Sequence, residues 1–322
     1  MKAWDIFYKN IIQTALVKPD DRIVLAVSGG QDSVCMLHLF WRLAKKMQIK
    51  LLVVNFNHNL RKESVQESYI VKNLSDKLGI ECLLENISVR DYSRKESVSL
   101  ETAGRSLRYS ALKNIACERN YNKIATAHNA NDNAETVLMW LLRGTGNFAG
   151  IPQKRKLSGK ISVVRPLLPV KRLLIEDYIY MHKLPFCTDK SNFSDVYTRN
   201  KIRLYIIPLC EKINNMAVEH IFNLSRIQSM ENAYLEKIVF KYLKKCVKFG
   251  RNSISLDLTI FLGYNEAVQY RILKNILPQK KYNSYINLIM HKILSSDLSV
   301  YKLSNRWSFC IKPDNKAYFI KE

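Results

Sequence analysis

An apolar run, Ile23-Val24-Leu25-Ala26-Val27, breaks at Ser28-Gly29-Gly30-Gln31-Asp32-Ser33, and an amphipathic stretch through Val34, Met36, Leu37, Leu39 and Phe40 follows at once. This order predicts a buried strand, a glycine turn and a helix. Backbone N–H groups at the start of such a helix have no intrahelical acceptor, and with the helix dipole they form an anion site. Gly29 and Gly30 let the backbone approach an oxyanion closely, while Ser28 and Ser33 add hydroxyl donors. Asp32 would repel a bare phosphate and makes sense if a metal ion lies between them. The loop is neither GxxxxGK[ST], since no lysine is placed to reach phosphates, nor GxGxxG. An ordinary turn capped by Ser28 is the structural alternative.

Further apolar strand runs alternate with helical patterns. Strands are expected at Lys50–Asn55, Glu81–Ile87 and Lys123–Thr126, and helices at 2–17, Ser33–Lys46, Lys62–Leu78, Glu101–Arg119 and Asp132–Arg143. That alternation predicts an α/β fold, a doubly wound parallel sheet covered on both faces, with ligands at the carboxyl ends of the strands. Residues 144–162 are glycine-rich and then basic and read as a mobile loop, before a helix near Lys171–His182. A boundary falls around Ile213–Ala217, so the expected domains are 1–212, catalytic, and 213–322. The second is expected to be smaller and mainly helical (Ile221–Phe249, Glu266–Leu277, Tyr285–Leu294), closing in a β-hairpin or meander of SVYKL, RWSFCIK and AYFIK.

The formal net charge of +23 is spread over the chain: 34 basic against 20 acidic residues in 1–212, and 17 against 8 in 213–322. A polyanion, nucleic acid first, is the natural partner, although a lysine-rich composition alone also raises the charge. Seven scattered cysteines without a CxxC argue for reduced thiols, a cytoplasmic location, and against zinc or iron–sulfur ligation. No apolar run is long enough to span a membrane, and MKAWDIFYKN lacks a signal-peptide pattern.

Polar clusters follow the strands. His58 and Arg61 in NFNHNLRKES are expected at a strand's carboxyl end, either meeting phosphate or capping the next helix. Glu101, Arg105 and Arg108 share one helix face, as phosphate ligands or as a surface ion pair. His128 ends the fourth strand. Asp132 and Glu135 are i, i+3 on the following helix, where acids suit the dipole or face a cationic substrate. Asp189, Asn192, Arg199, Asn200 and Arg203 crowd an irregular segment of the kind that often carries function.

SGGQDS resembles the pyrophosphate loop of the ATP pyrophosphatases. Together with VNFNHNLR, ETAGRSLRY, TAHNANDNAETVLMWLLRGTG, RPLL and DKSNFSDVYTRNKIR, in that order, it resembles the tRNA(Ile)-lysidine synthetase family, densely over residues 20–212 and loosely beyond. The resemblance implies an adenine nucleotide alpha-hydrolase-like fold and a short family member without an extra terminal domain. It implies a ligase acting in two steps. The wobble cytidine of a tRNA(Ile) with a CAU anticodon attacks the α-phosphate of ATP through O2, and pyrophosphate leaves. The ε-amine of free L-lysine then attacks the adenylated C2, and AMP leaves.

By the same resemblance Ser28, Gly29, Gly30, Gln31, Asp32 and Ser33 hold ATP, with Asp32 towards Mg2+. Arg108 and His128 also contact ATP, Asp132 and Glu135 hold lysine, and Asp32, Arg108, Asp132, Arg199 and Arg203 lie at the reaction centre. His58, Arg61, Arg105, Lys154, Arg155 and Lys156 meet tRNA. A homodimer is allowed. The chain departs from the family's HHxDDQxET at Asn129, Asn131 and Asn133, which replace His, Asp and Gln. Related enzymes that thiolate tRNA typically use cysteines, often as CxxC, which this chain lacks. The intact SGGQDS argues against an RNA-binding protein with a decayed loop.

Overall fold

The computed structural model describes residues 2–57, 64–144, 148–187, 198–277, 282–304 and 306–321. Two compact units divide the chain, Met1–Ser229 and Met230–Glu322. In the first, helix α1 (Ala3–Thr14) precedes strand β1 (Arg22–Ala26), α2 (Gln31–Ala44), β2 (Lys50–Asn57), α3 (Ser64–Lys77) and β3 (Cys82–Asn86). Then come α4 (Val89–Glu96), α5 (Leu100–Glu118), β4 (Lys123–Ala125), α6 (Ala130–Leu142), β5 (Lys154–Ser158), β6 (Ile161–Val164) and α7 (Arg172–Met181). A composite helix follows, of α8 (Thr198–Lys201), a π-helical turn (Ile202–Ile206) and α9 (Ile207–Ile213), and then the long α10 (Ala217–Cys246).

The sheet order is β3-β2-β1-β4-β6-β5. All pairings are parallel except that of β5 with β6. The chain builds outward from β1 to β3 and then returns to β4 on the other side of β1. The strand order therefore reverses between β1 and β4, and the crevice at their carboxyl ends is where such sheets bind ligands. Alternation along β1 covers both faces. Ile23 and Leu25 pack with Phe7, Phe40 and Tyr178 from α1, α2 and α7, while Val24 packs with Leu52, Ile124, Val163 and Leu112 from α5.

Two expectations need correction here. Lys154, Arg155 and Lys156 are not in a mobile loop. They open β5, the antiparallel edge strand beside β6, their side chains exposed. A charged edge strand has no apolar alternation to betray it, and lysine there discourages further pairing. The division between units also falls later than 212/213. Val218 and Ile221 at the start of α10 pack with Ala130, Ala134, Ile202 and Ile207, which ties this turn to the first unit.

The second unit closes in the expected terminal β-meander, which two further strands extend into a five-stranded antiparallel sheet. Strands β7 (Val247–Phe249), β8 (Ser253–Asp257), β9 (Tyr301–Ser304), β10 (Trp307–Lys312) and β11 (Lys316–Lys321) lie in the order β7-β8-β11-β10-β9. Residues 247–249, expected to be helical, pair with β8 instead. Helices α11 (Leu258–Leu262), α12 (Glu266–Ile276) and α13 (Tyr282–Leu294) share a core with the sheet, built on Phe261, Ile272, Ile286, Ile289, Phe309 and Phe319. Among the described residues no helix is long and apolar enough to cross a membrane.

Candidate active site

The loop after β1 is held by its own serines. Ser33 Oγ donates to Gly30 O (2.8 Å) and accepts from Ser28 N (3.1 Å), and the two hydroxyls lie 3.2 Å apart. Gly29 has φ +92°, a conformation that disfavours any side chain. Its carbonyl accepts from the backbone N–H of Cys187 (2.9 Å), which braces the turn from outside. Gly30 is the N-cap of α2, and among the described residues no side chain caps that helix. The first-turn amides therefore point into the crevice with the positive end of the dipole behind them.

Asp32 stands on that first turn. Burial, reinforced by the Asp132 carboxylate, pushes its pKa up to about 6, against the opposing pull of Arg172, Asn129 and Arg203. Its hydrogen bond comes from Asn129 Nδ2, 2.9 Å from Oδ1. A buried carboxylate raised in this way fits a cation shared with bound phosphates.

Asn129 is fully buried and joins the two halves of the site. While its Nδ2 serves Asp32, its Oδ1 accepts from Asp132 N (3.0 Å), and Asp132 Oδ2 accepts from Asn129 N (3.0 Å). This reciprocal capping box starts α6. The other two departures from the family pattern are also structural. Asn131 Oδ1 accepts from Arg172 N (2.9 Å) and so sets the start of α7. Asn133 accepts from Ile151 N (2.7 Å) and donates to Ser225 Oγ (2.8 Å), which clamps α6 to α10.

The acid pair is wrapped in arginine. Glu135 is fully buried, with Arg199 Nε 2.6 Å from Oε2, and with Arg203 Nε 2.7 Å from Oε1 and Nη2 3.2 Å from Oε2. Asp132 Oδ1 has Arg199 Nη2 at 3.4 Å and the Nη2 atoms of Arg172 and Arg203 at 3.7 Å. Burial works against the charge of Arg203, but the bonds and charge of Glu135 outweigh it and hold its pKa above the ordinary value.

A second cationic cluster lies around His128, whose Nδ1 is 3.0 Å from Thr126 Oγ1. Burial, then the charges of Arg165, Arg105, Arg199 and Arg108, press its pKa down to about 3, so the imidazole is neutral at physiological pH. Arg165 is almost wholly buried. It donates to Pro152 O (2.5 Å) and Tyr109 Oη (3.4 Å), and among the described residues its Nε has no partner. The guanidinium carbons of Arg105 and Arg155 lie 5.3 and 5.1 Å from the centre of the Tyr109 ring. Arg108 donates from Nε to Gly104 O (3.2 Å), and burial lowers its pKa.

The fold thus gathers Asp32, Asn129, Asp132, Glu135, Arg172, Arg199 and Arg203 in one network, with Arg105, Arg108, Arg155, Arg165 and His128 in a neighbouring one. Sequence reasoning passed over Arg172 and assigned nothing to Arg165; the only signal was the RPLL segment seven residues before Arg172. His58, Arg61 and residues 188–197, including Asp189 and Asn192, lie outside the described residues.

Comparison with known proteins gives a consistent result. A family model described as a PP-loop domain matches residues 4–210. A tRNA(Ile)-lysidine synthase of Thermosipho africanus is 43% identical over 208 residues, covering 65% of this chain and 48% of that protein. One of Clostridioides difficile is 36% identical over 279 residues, covering 84% and 59%. The chain thus spans about half the length of these curated relatives. Among solved structures, the U34-tRNA thiolase NcsA of Methanococcus maripaludis with its [4Fe-4S] cluster superposes with a TM-score of 0.59 at 17% identity, over 69% of this chain and 76% of that one, a likeness of fold.

Proposed function

The chain belongs to the PP-loop family, and from that premise we propose that it is an ATP-dependent ligase that joins free L-lysine to C2 of the wobble cytidine of a tRNA(Ile) with a CAU anticodon. The observation that carries this reading is the pair of hydrogen bonds made by the Asn129 side chain, which ties the carboxylate of the phosphate loop to the helix bearing the acid pair. A nucleotide-cleaving loop and a carboxylate subsite in one crevice suit a reaction that first activates a base and then brings in an amine.

In the first step cytidine O2 forms a bond to the α-phosphorus and the α–β bridging bond breaks. Negative charge grows on the departing pyrophosphate, where the α2 amides of Gln31, Asp32 and Ser33 and the hydroxyl of Ser28 would receive it, while Ser33 Oγ braces the turn through Gly30 O. Asp32 would hold Mg2+ together with phosphate oxygens, and the ion would neutralise charge on the triphosphate. Arg108 and neutral His128 line the nucleotide side. In the second step the lysine ε-amine bonds to C2 and the C2–O bond to AMP breaks, after the amine has given up a proton.

Asp132 and Glu135 form the lysine subsite. Both oxygens of Glu135 are engaged by guanidinium groups, so its contribution is to aim Arg199 and Arg203, and Asp132 is the carboxylate with capacity for an ammonium group. Arg105 and the exposed Lys154, Arg155 and Lys156 of β5, with His58 and Arg61, would meet tRNA phosphates. A cytoplasmic enzyme, as a monomer or homodimer, fits this chemistry.

The test is AMP release by purified protein with tRNA(Ile) bearing CAU, lysine, ATP and Mg2+. AMP should form only when all are present, and replacing the wobble cytidine by uridine should abolish turnover. AMP formation that ignores lysine would sink the reading.

A further inference from the structure

The three guanidinium groups around the acid pair are not equivalent. Arg199 and Arg203 spend short hydrogen bonds on Glu135 and between them engage both of its oxygens. Arg172 differs. Its backbone N–H is fixed by Asn131, but among the described residues its guanidinium makes no hydrogen bond. Its nearest acids are Asp132 at 3.7 Å and Glu135 at 4.0 Å, too far for directed bonding, and its side chain is a quarter exposed (25%). Asp132 is the complementary case, since Oδ2 is used by the capping box whereas Oδ1 has only the 3.4 Å contact with Arg199 and two looser ones.

The crevice therefore presents a cation whose guanidinium makes no hydrogen bond among the described residues beside an anion with unused acceptor capacity. A phosphate would be repelled by Asp132, and a simple amine by Arg172. A zwitterion satisfies both, because a free α-amino acid carries its ammonium next to its carboxylate. We propose that Arg172 and Asp132 form a two-point clamp for the α-amino-acid end of lysine, Arg172 taking the carboxylate as a planar fork and Asp132 the α-ammonium. The clamp selects an amino acid over a plain diamine and leaves the ε-amine as the end that reaches the activated base. This inference rests on the lysine-ligase reading and goes beyond it by naming the group that recognises the carboxylate.

The test compares lysine with cadaverine, the same diamine without the carboxylate, and with lysinamide. Binding is measured by calorimetry in the presence of ATP, and inhibition by competition against lysine in the AMP-release assay, for the wild type, Arg172→Gln and Arg172→Lys. Loss of a charge-assisted pair should weaken lysine about 10- to 100-fold in Arg172→Gln, while cadaverine changes by less than about 3-fold. Arg172→Lys, which keeps the charge and loses the fork, should fall between, and it decides on the same criterion if Arg172→Gln does not fold. Lysine and cadaverine weakening by one common factor, or a rise in the ATP requirement with lysine unaffected, would overturn the clamp. Lysine-independent AMP release by the wild type would instead overturn the functional reading, which the calorimetry separates from the clamp.

Discussion

The side-chain amide of Asn129 donates to the carboxylate of Asp32 at 2.9 Å, across the point where the strand order of the sheet reverses. Because Asn129 Oδ1 is committed to the N–H of Asp132, the amide cannot flip, and its Nδ2 must face Asp32. Asn129→Ala removes a helix cap and a buried donor together. A stability loss of about 1–3 kcal/mol is expected, with at least tenfold slower pyrophosphate release. Chemical denaturation and a single-turnover pyrophosphate assay check both; normal pyrophosphate release in a folded variant would remove Asn129 from the link.

The two carboxylates should separate by mutation. Asp132→Ala should raise the lysine requirement far more than the ATP requirement. Glu135→Gln takes the closest anion from Arg199 and Arg203 and leaves them only the looser Asp132, and with both arginines partly exposed a loss of about 1–3 kcal/mol is expected. Denaturant titration beside lysine and ATP saturation curves distinguishes them. Equal shifts in lysine and ATP requirement for Asp132→Ala would undo its assignment.

Asp32 links pH to stability. Its folded pKa, about 6, lies above its ordinary 3.8, so the folded state holds the proton more tightly than the unfolded one. Its stabilising contribution is complete below about pH 4 and is lost as pH rises through 6, a change of about 2–3 kcal/mol. Asp32→Asn should therefore be more stable than the wild type at pH 7.5, lose that advantage near pH 4, and be inactive. Melting temperatures across pH 4–8 provide the measurement.

His128 works in the opposite direction. Its folded pKa, about 3, is below the ordinary 6.5, so its contribution is present above pH 6.5 and lost as pH falls towards 3. His128→Gln should flatten the acid limb of the stability profile. An unchanged limb would place the acid sensitivity elsewhere, with His38, also lowered by burial to about 4, the next group to replace.

Gly150 has φ +61°, and a Cβ there would come within 2.1 Å of Asn133 Oδ1. Gly150→Ala must push Asn133 off Ile151 and Ser225, and a loss of about 2–4 kcal/mol is expected. Gly159→Ala, at φ +48° with open space around it, should cost less. The difference between the two melting points is the check.

The tRNA contact proposed for the basic edge strand predicts a salt effect. Arg155→Ala should lower the slope of log affinity against log salt by about one and weaken binding regardless of the anticodon base. Filter binding at several salt concentrations measures this, and an unaltered slope would take Arg155 out of the phosphate contacts.

The phosphate loop was readable in the chain because everything it needs is local: an apolar run, two glycines and an amphipathic helix within adjacent residues. The start of α6 was readable for the same reason, as was the shared face of Asp132 and Glu135. Strand β5 was not, because Lys154, Arg155 and Lys156 carry no alternation, and only the neighbouring β6 makes them a strand. Nor was β7, where a helical run of residues passes into pairing with β8.

Asn129, Asn131 and Asn133 looked like departures from a catalytic pattern, yet each makes hydrogen bonds to partners distant in sequence, Asp32, Arg172, Ile151 and Ser225. Short-range pattern alone determined that this chain builds a parallel α/β sheet with an anion loop at a strand end. Which arginines surround the acid pair, and which of them hydrogen-bond Glu135, was decided only by the tertiary structure. The hydrogen bonds of Arg199 and Arg203 to the acid pair join residues 64 to 68 positions apart in the chain, and hydrogen-bond capacity is settled by the geometry of both partners.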